Sequence, residues 1–169
     1  KRLLETGLEL ACKKGLQKAI NFLVMHSCLS DVPRDIAMFL RRYHERFSQR
    51  VLGDFLGIGE DNAHDESYWD AIRMNYFSVI SFKGMTVDQA LRHFLTSCQF
   101  FLPGEAQKVD RIIESFAQCY WNDNKPKSGG AGDVLSASGT SILSFAIVML
   151  NTDQHKNTNK KATKMTVEQ

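Results

Sequence analysis

The chain has 169 residues, of which 43% are hydrophobic and 24% charged, as in an ordinary globular protein. This length fits one domain with a sizeable core, and the composition excludes a disordered chain. A formal net charge of +2 is too small to indicate binding to nucleic acid or to a membrane. The densest basic cluster, KNTNKKATK at 156–164, is interpreted as a solvent-exposed loop.

The cysteines and the apolar runs predict a soluble intracellular protein. The longest apolar run, ILSFAIVML at 142–150, is far too short to cross a bilayer, and no signal peptide is visible. The first residues resemble the middle of a helix and the last the start of one, so we expect a domain excised from a longer protein that lacks its last helices. The cysteines have no paired spacing and lie among apolar neighbours, which indicates buried thiols in a reducing compartment: Cys12, Cys28, Cys98 and Cys119.

Helical spacing dominates the first half of the chain. An apolar stripe at Leu16, Ile20, Leu23 and Val24 predicts the first complete helix. Asp31 before Val32-Pro33 predicts the start of a second helix, with a capping carboxylate followed by Pro in the first turn. The buried face of this helix is predicted at Ile36, Ala37, Phe39 and Leu40. The next segment, FSQRVLGDFLG at 47–57, is predicted to be a helix that Gly57 ends.

The second half continues the helical pattern. The spacing in SYWDAIRMNYFSVISF at 67–82 favours helix over strand, and Thr86 with Gln89 predicts a capping box. After the turn LPGE, one continuous apolar face is formed by Val109, Ile112, Ile113, Phe116, Ala117 and Tyr120. Residues 122–133 are interpreted as a loop, and SILSFAIVMLN at 141–151 as a central helix buried by its neighbours. Residues 166–169 predict a further capping box.

No segment alternates with period two, and no internal repeat of fixed period is visible. The pattern therefore predicts an all-α domain of eight or more short helices joined by tight turns, in an irregular stack unlike a four-helix bundle.

The motifs of the common enzyme and metal sites are absent, including the nucleophile elbow, the phosphate loop, the dinucleotide fingerprint and HExxH. Asp153 and His155 lie only two residues apart and have no further ligands at helical spacing, so we predict no metal site. A hydrolase that used Glu105 with Asp153 or His155 would need these groups to converge on a closed pocket.

One acidic residue follows a tight turn in FFLPGEAQKVDR at 100–111. Pro103 and Gly104 turn the chain and place Glu105 in the first turn of the next helix. An acid near a helix N-terminus is favourable by a few tenths to about 1 kcal/mol, which is the simple interpretation. A rigidly presented acid at the rim of the domain could also compete with an anionic ligand for a cation. The residues alone leave both interpretations open.

The segment FAIVMLNTDQH at 145–155 also has two interpretations. An apolar helix with a polar C-terminus is usually part of a core. Phe145 and Met149 are also the aromatic and flexible side chains that line grooves for a partner.

Three segments together resemble the Sec-seven domain, the exchange-factor domain for small GTPases of the ADP-ribosylation factor (Arf) family. They are FLPGEAQKVDRIIESFAQCY at 101–120, SFAIVMLNTDQH at 144–155 and KMT at 164–166. Weaker similarity covers INFL at 20–23, DIAMFL at 35–40, VLGDFLG at 51–57 and QALRHFL at 89–95, so the resemblance spans nearly the whole chain.

The resemblance implies a right-handed superhelical stack of about eight to ten short helices, with a hydrophobic groove that binds the switch regions of a GDP-bound or nucleotide-free Arf GTPase. Glu105 matches the catalytic "glutamic finger", which disfavours Mg²⁺ and the β-phosphate so that GDP leaves. A regulator of this kind makes no covalent bond and needs no cofactor or metal. The positions expected to bind the partner are Leu102, Gln107, Phe145, Val148, Met149, Asn151, Asp153, Lys156 and Met165.

The resemblance also implies a role in vesicle traffic, in the cytoplasm, with recruitment to Golgi or endosomal membranes through regions outside this chain. Phe101 replaces an Arg of the family pattern, and two extra residues precede LPGE. A non-catalytic scaffold that binds a small GTPase without exchanging its nucleotide is therefore the alternative. Family members with Tyr-Ser at positions 145–146 are usually sensitive to brefeldin A, and Phe145-Ala146 predicts weak inhibition, although Asp153 and Met165 match the sensitive pattern.

Overall fold

The computed structural model describes residues 2–126 and 135–156, with side chains as far as Gln154. Within these ranges the chain forms eight α-helices and one short 3₁₀ helix, His44–Arg46, and no strand. The α-helices are α1 (Arg2–Lys14), α2 (Leu16–Met25), α3 (Pro33–Arg42), α4 (Gln49–Leu56), α5 (Glu66–Phe77), α6 (Val87–Ser97), α7 (Ala106–Asn124) and α8 (Ala137–Lys156). The predicted all-α class is confirmed.

The apolar residues whose spacing predicted the helices form the buried faces of those helices in the structure. On α5 the buried side chains include Trp69, Ile72, Tyr76 and Phe77, so the ambiguous aromatic segment is a helix as far as Phe77. The predicted face of α7 is buried throughout, from Val109 to Tyr120. The capping box of α6 is also present, with the Thr86 N–H donating to the Gln89 side chain over 3.2 Å.

The core is organised around aromatic rings contributed by different segments. Phe94 of α6 packs with its ring centroid 4.8 Å from that of Phe77 and 4.8 Å from that of Phe116. Phe100, which follows α6, joins this cluster at 5.6 Å from Phe94. Helix α5 packs against both α3 and α7, and α7 packs against α8. The segment that leads to the LPGE turn therefore starts inside the core.

The predicted cap of α3 is wrong. Val32, with an extended backbone, occupies the N-cap position, and Pro33 is the first helical residue, as predicted. The Asp31 carboxylate instead accepts hydrogen bonds from the hydroxyl of Tyr68 and from His64, whose Nε2 lies 3.0 Å away. Asp31 is thus one residue too early to cap α3 and joins the start of α5.

Two further expectations are corrected. Cys98 and Cys119 are buried, but Cys12 and Cys28 are exposed, and all four are free thiols. The predicted loop at 122–133 begins later than expected because α7 continues to Asn124. The side chains of Asp123 and Asn124 accept hydrogen bonds from the backbone N–H groups of Phe82 and Gly84, which holds this end of the helix in place.

In the part of the chain that the structure describes, helix α8 is not enclosed by its neighbours, contrary to the prediction. Within the described residues it packs mainly against α7 and α6. Thr140 and Ser144 face the interior, whereas Ile142 is 73% exposed and Met149 40% exposed. Among the described residues, one side of this apolar helix is therefore open, because two neighbouring helices cover only part of its circumference.

None of the described helices combines the length and apolar character needed to cross a bilayer. Several predictions lie outside the described residues, namely the KMT segment, the capping box at 166–169, the remainder of the loop from 127 and most of the basic cluster at 156–164.

Candidate functional site

The turn that carries Glu105 is anchored by buried residues before the acid, whereas the acid itself is exposed. Phe100 and Pro103 are buried, and Leu102 is half-buried against the core. Gly104, Glu105 and Gln107 are exposed. The burial of Phe100 and Pro103 anchors the backbone, so the acid lies at the tip of a short and well-supported projection.

Glu105 is the N-cap residue of α7, one position before the first turn in which the sequence placed it. Its side chain makes no capping hydrogen bond with the helix. The carboxylate instead pairs with the Lys108 ammonium over 2.9 Å, while the Glu105 side chain remains 71% exposed and that of Lys108 only 24% exposed. The carboxylate of Glu105 is therefore held over the surface and is accessible to a partner.

Gly104 lies beside this acid in open space. A Cβ built on it would meet no atom of the described chain within 4 Å, and its φ is outside the positive range. Neither packing nor backbone conformation within the domain requires glycine here.

The predicted binding residues of α8 differ in their burial. Phe145 and Val148 are half-buried and pack against the core, and Met149 and Asn151 are exposed. Asp153 is half-buried. Lys156 is the last residue of α8 with its side chain outside the described part, and Met165 lies wholly outside it.

A groove of about 550 Å³ lies between α7 and α8. Its α8 wall contains Phe145, Ala146 and Ile142 with Ser138 and Ser141. Its α7 wall is polar and consists of Asp110, Glu114 and Gln118. Asp110 is five residues from Glu105, or about 7.5 Å along the helix axis. The groove is thus apolar on one side, acidic on the other, and close to the exposed acid.

The acidic wall is the part of the site that sequence reasoning missed. Burial, followed by the charges of Asp110 and Glu66, raises the pKa of Glu114 above its ordinary value. The signal was available, because Asp110, Glu114 and Gln118 recur every four residues and so share a face of α7. What the sequence did not reveal was that this polar face borders the groove.

No three His, Cys, Asp or Glu side chains within the described ranges are arranged to hold a metal ion. His64, which lies in the polar connection before α5, pairs with Asp31 and with Asp61, whose carboxylate oxygen is 3.6 Å from Nδ1. These contacts make His64 a link between the loop that precedes α3 and the loop that precedes α5.

The whole chain, residues 1–169, matches the family described as "Sec7 domain". Brefeldin A-inhibited guanine nucleotide-exchange protein 1 of Bos taurus is 37% identical over 100% of this chain, and protein 3 of the same description from Arabidopsis thaliana is 36% identical over 90%. The chain spans only 8% of the length of each of these two proteins.

A solved structure described as "Structure of ARF1-GDP bound to Sec7 domain complexed with Brefeldin A" resembles this chain with a TM-score of 0.72 and 30% identity. The match covers 98% of this chain and 75% of that one. The chain therefore belongs to the Sec-seven (Sec7) domain family, and the resemblance carried by the three sequence segments is confirmed.

Proposed function

We propose that the chain is a guanine-nucleotide exchange factor that promotes release of GDP from a small GTPase of the Arf family. The observation that carries the proposal is Glu105, a 71% exposed carboxylate at the tip of a buried and well-packed turn, next to a groove. Support also comes from the similar structure whose description names ARF1-GDP with a Sec7 domain.

Glu105 acts in this proposal through its charge. Tight binding of a nucleotide depends on Mg²⁺, which neutralises the phosphate oxygens. A carboxylate brought into that site competes for the cation and repels the β-phosphate. Two unit charges 4 Å apart interact by about 4 kcal/mol at an effective dielectric of about 20. This corresponds to about a thousand-fold change in affinity.

The groove and the turn bind the partner in the same proposal. Phe145, Val148 and Met149 supply apolar surface, and Leu102 and Gln107 flank the finger. Asn151, Asp153, Lys156 and Met165 extend the contact towards the end of α8 and beyond it. The acidic wall of α7 would face cationic side chains of the GTPase, which favours rapid association more than tight binding.

The chain acts as a regulator in this scheme and makes or breaks no covalent bond. It binds the nucleotide-free GTPase more tightly than the loaded one, and this difference limits how far it can shift the equilibrium. We place this activity in the cytoplasm, in vesicle traffic at Golgi or endosomal membranes. Regions outside this chain would provide the attachment to the membrane.

One observation favours a second candidate function. Phe101, which stands where the family pattern has Arg, is 59% exposed beside the finger. A changed contact here would give a helical scaffold that binds a small GTPase without exchanging its nucleotide. The two functions differ in the relation of binding to exchange, so both have to be measured on the same proteins.

The test is release of a fluorescent GDP analogue from a panel of Arf-family GTPases. We expect Glu105→Lys to lower the stimulated rate at least a hundred-fold, because it replaces the repelling charge with an attractive one, and to leave the helical fold intact. Glu9→Lys is the matched control, since Glu9 is 64% exposed and also pairs with a lysine, Lys13, on a distant helix. Near-normal exchange by Glu105→Lys would contradict the proposal, and tight binding without exchange by the wild-type chain would favour the scaffold.

A further inference from the structure

One face of α4 contacts both ends of the finger segment, which we define as residues 101–108. Gln49, Gly53 and Gly57 recur every four residues and therefore share this face. They span α4 from its first residue to the residue that follows it. No motif assigns these residues a role in exchange.

The contact before the turn is made by backbone atoms. The Phe101 N–H donates to the carbonyl oxygen of Gln49 over 3.0 Å. A Cβ built on Gly53 would lie 1.8 Å from the carbonyl oxygen of Phe101. Any side chain at position 53 would therefore displace the backbone that enters the finger turn.

The contact after the turn is made by Lys108. A Cβ built on Gly57 would lie 2.6 Å from Cβ and 2.9 Å from Cγ of Lys108. Gly57 has a φ of −80°, which any residue adopts, so glycine is required here for the close approach alone. The stem of Lys108 therefore packs on the end of α4 from Cβ to Cδ, and its side chain is only 24% exposed.

The ammonium of Lys108 in turn forms an ion pair with the carboxylate of Glu105. The two charges are 2.9 Å apart, with the Lys108 side chain largely covered and the Glu105 side chain exposed. An exposed glutamate with no partner samples several rotamers, whereas one paired with a fixed cation is restrained. The direction of the carboxylate is thus linked to α4 through Lys108 and Gly57.

We propose that the Gln49–Gly53–Gly57 face of α4 is the support that positions the finger, with Gly53, Gly57 and Lys108 as positioning residues for Glu105. The inference rests on the proposed function of Glu105. It adds that exchange depends on a helix that has no part in binding the nucleotide, and that bulk at Gly57 or loss of the Lys108 ammonium slows exchange without weakening the binding of the GTPase.

The experiment compares three variants by their kcat and KM for exchange on an Arf GTPase. We expect Gly57→Ala to lower kcat at least ten-fold with KM changed less than two-fold. Lys108→Met, which keeps the packed stem and removes the ammonium, should lower kcat several-fold, and Lys108→Arg should restore most of it. Gly139→Ala is the matched control, because a Cβ at this helical glycine of α8 meets its nearest atom at 3.4 Å, an ordinary contact.

A Glu105→Gln background separates this inference from the proposed function. If Glu105→Gln retains wild-type exchange, both the proposed function and the positioning role of α4 are contradicted. If Glu105→Gln is inactive while Gly57→Ala and Lys108→Met keep the wild-type kcat, only the support is wrong. Within the Glu105→Gln background, Gly57→Ala should lower the residual rate no further. A further loss there would indicate general damage to the domain and overturn the inference.

A measurement that needs no activity completes the test. A nitroxide attached at Ala106→Cys, with Cys12 and Cys28 replaced by Ser, reports the mobility of the exposed first residue of α7. We expect the label to be more mobile when Gly57→Ala is added and unchanged when Gly139→Ala is added. Equal mobility in all three proteins would count against the support.

Discussion

The guanidinium of Arg73 donates from Nη1 to the carbonyl oxygen of Ile58 over 2.6 Å, although Arg73 is only 2% exposed. Its Nε also donates to the hydroxyl of Ser115 over 3.1 Å, and its Nη2 lies 3.6 Å from the Asp70 carboxylate. Burial lowers the pKa of Arg73, and the charge of Asp70 opposes this shift. One cation therefore joins α5 to α7 and to the segment that follows α4.

Replacement of this cation should destabilise the whole domain. Arg73→Met keeps the apolar stem but leaves the carbonyl of Ile58 and the hydroxyl of Ser115 without their buried donor. We expect a loss of about 3 kcal/mol in the free energy of unfolding, measured in urea with an unchanged m-value. Arg34→Met, at an exposed position of α3, should change stability by less than about 0.5 kcal/mol. Equal effects of the two substitutions would show that the buried contacts of Arg73 contribute nothing.

The exposed ring of Phe101 should determine affinity for the GTPase. Its backbone is fixed by the hydrogen bond to Gln49, and its side chain is 59% exposed beside the finger. We expect Phe101→Ala to raise KM for exchange about ten-fold, which corresponds to about 1.4 kcal/mol of apolar contact, with little change in kcat. Met25→Ala is the control, since Met25 is 81% exposed on α2. An unchanged KM would mean that the partner does not contact the ring.

Removal of two buried hydroxyl groups on α8 should change the free energy of unfolding in opposite directions. Ser144 is fully buried, and its Oγ has no hydrogen-bond partner in the part of the chain that the structure describes. Ser144→Ala should therefore raise the free energy of unfolding by about 1 kcal/mol. Thr140 is equally buried, but its hydroxyl donates to the carbonyl of Leu135 over 3.4 Å, so Thr140→Val should lower that free energy. Thermal unfolding of both variants checks this difference, and a loss of stability in Ser144→Ala contradicts it.

Asp61 should make stability depend on pH in the acid range. Burial acts to raise its pKa, but hydrogen bonds from the backbone N–H groups of Ala63 and His64 and from Gln17 outweigh it and hold the pKa below the ordinary 3.8. A carboxyl group whose pKa is lowered by folding stabilises the protein above its unfolded pKa. That contribution is lost as the pH falls through the lower folded value.

Asp61→Asn should accordingly lower the free energy of unfolding by about 1 kcal/mol at pH 7, because the charged acceptor is lost. The difference from wild type should shrink below the ordinary pKa of 3.8 and vanish once Asp61 is protonated in the folded state. Urea unfolding at several pH values measures it, with Glu45→Gln as an exposed control. A difference that persisted at the lowest pH would mean that the amide fails to fit the loop.

Brefeldin A should inhibit this chain weakly, although two of its relatives are described as brefeldin A-inhibited. Phe145 and Ala146 line the groove, where sensitive members of the family usually have Tyr and Ser. The double substitution Phe145→Tyr with Ala146→Ser should increase inhibition of exchange at least ten-fold. The concentration dependence of inhibition in both proteins checks this prediction, and strong inhibition of the wild-type chain would contradict it.

Much of the fold was predictable from local pattern because each helix carries its own periodic apolar face. The buried residues of α3 and α7 and the capping box of α6 needed only the spacing of side chains along one helix. The predicted capping role of Asp31 and the predicted burial of Cys12 and Cys28 were wrong because the surroundings of these residues depend on other segments of the chain. The open side of α8 was missed because the residues of a helix do not reveal how many neighbours will cover it.

Patterns along the chain were enough to predict the all-α class, the helical segments and, through three specific segments, the family. They also pointed to Glu105, because a turn and an acid are local features. The folded chain was needed to show that Lys108 lies on Gly57 and that α4 contacts both ends of the finger segment. These contacts join residues that are some 50 positions apart, and the requirement for glycine at 53 and 57 arises from atoms of another segment, which no local pattern contains.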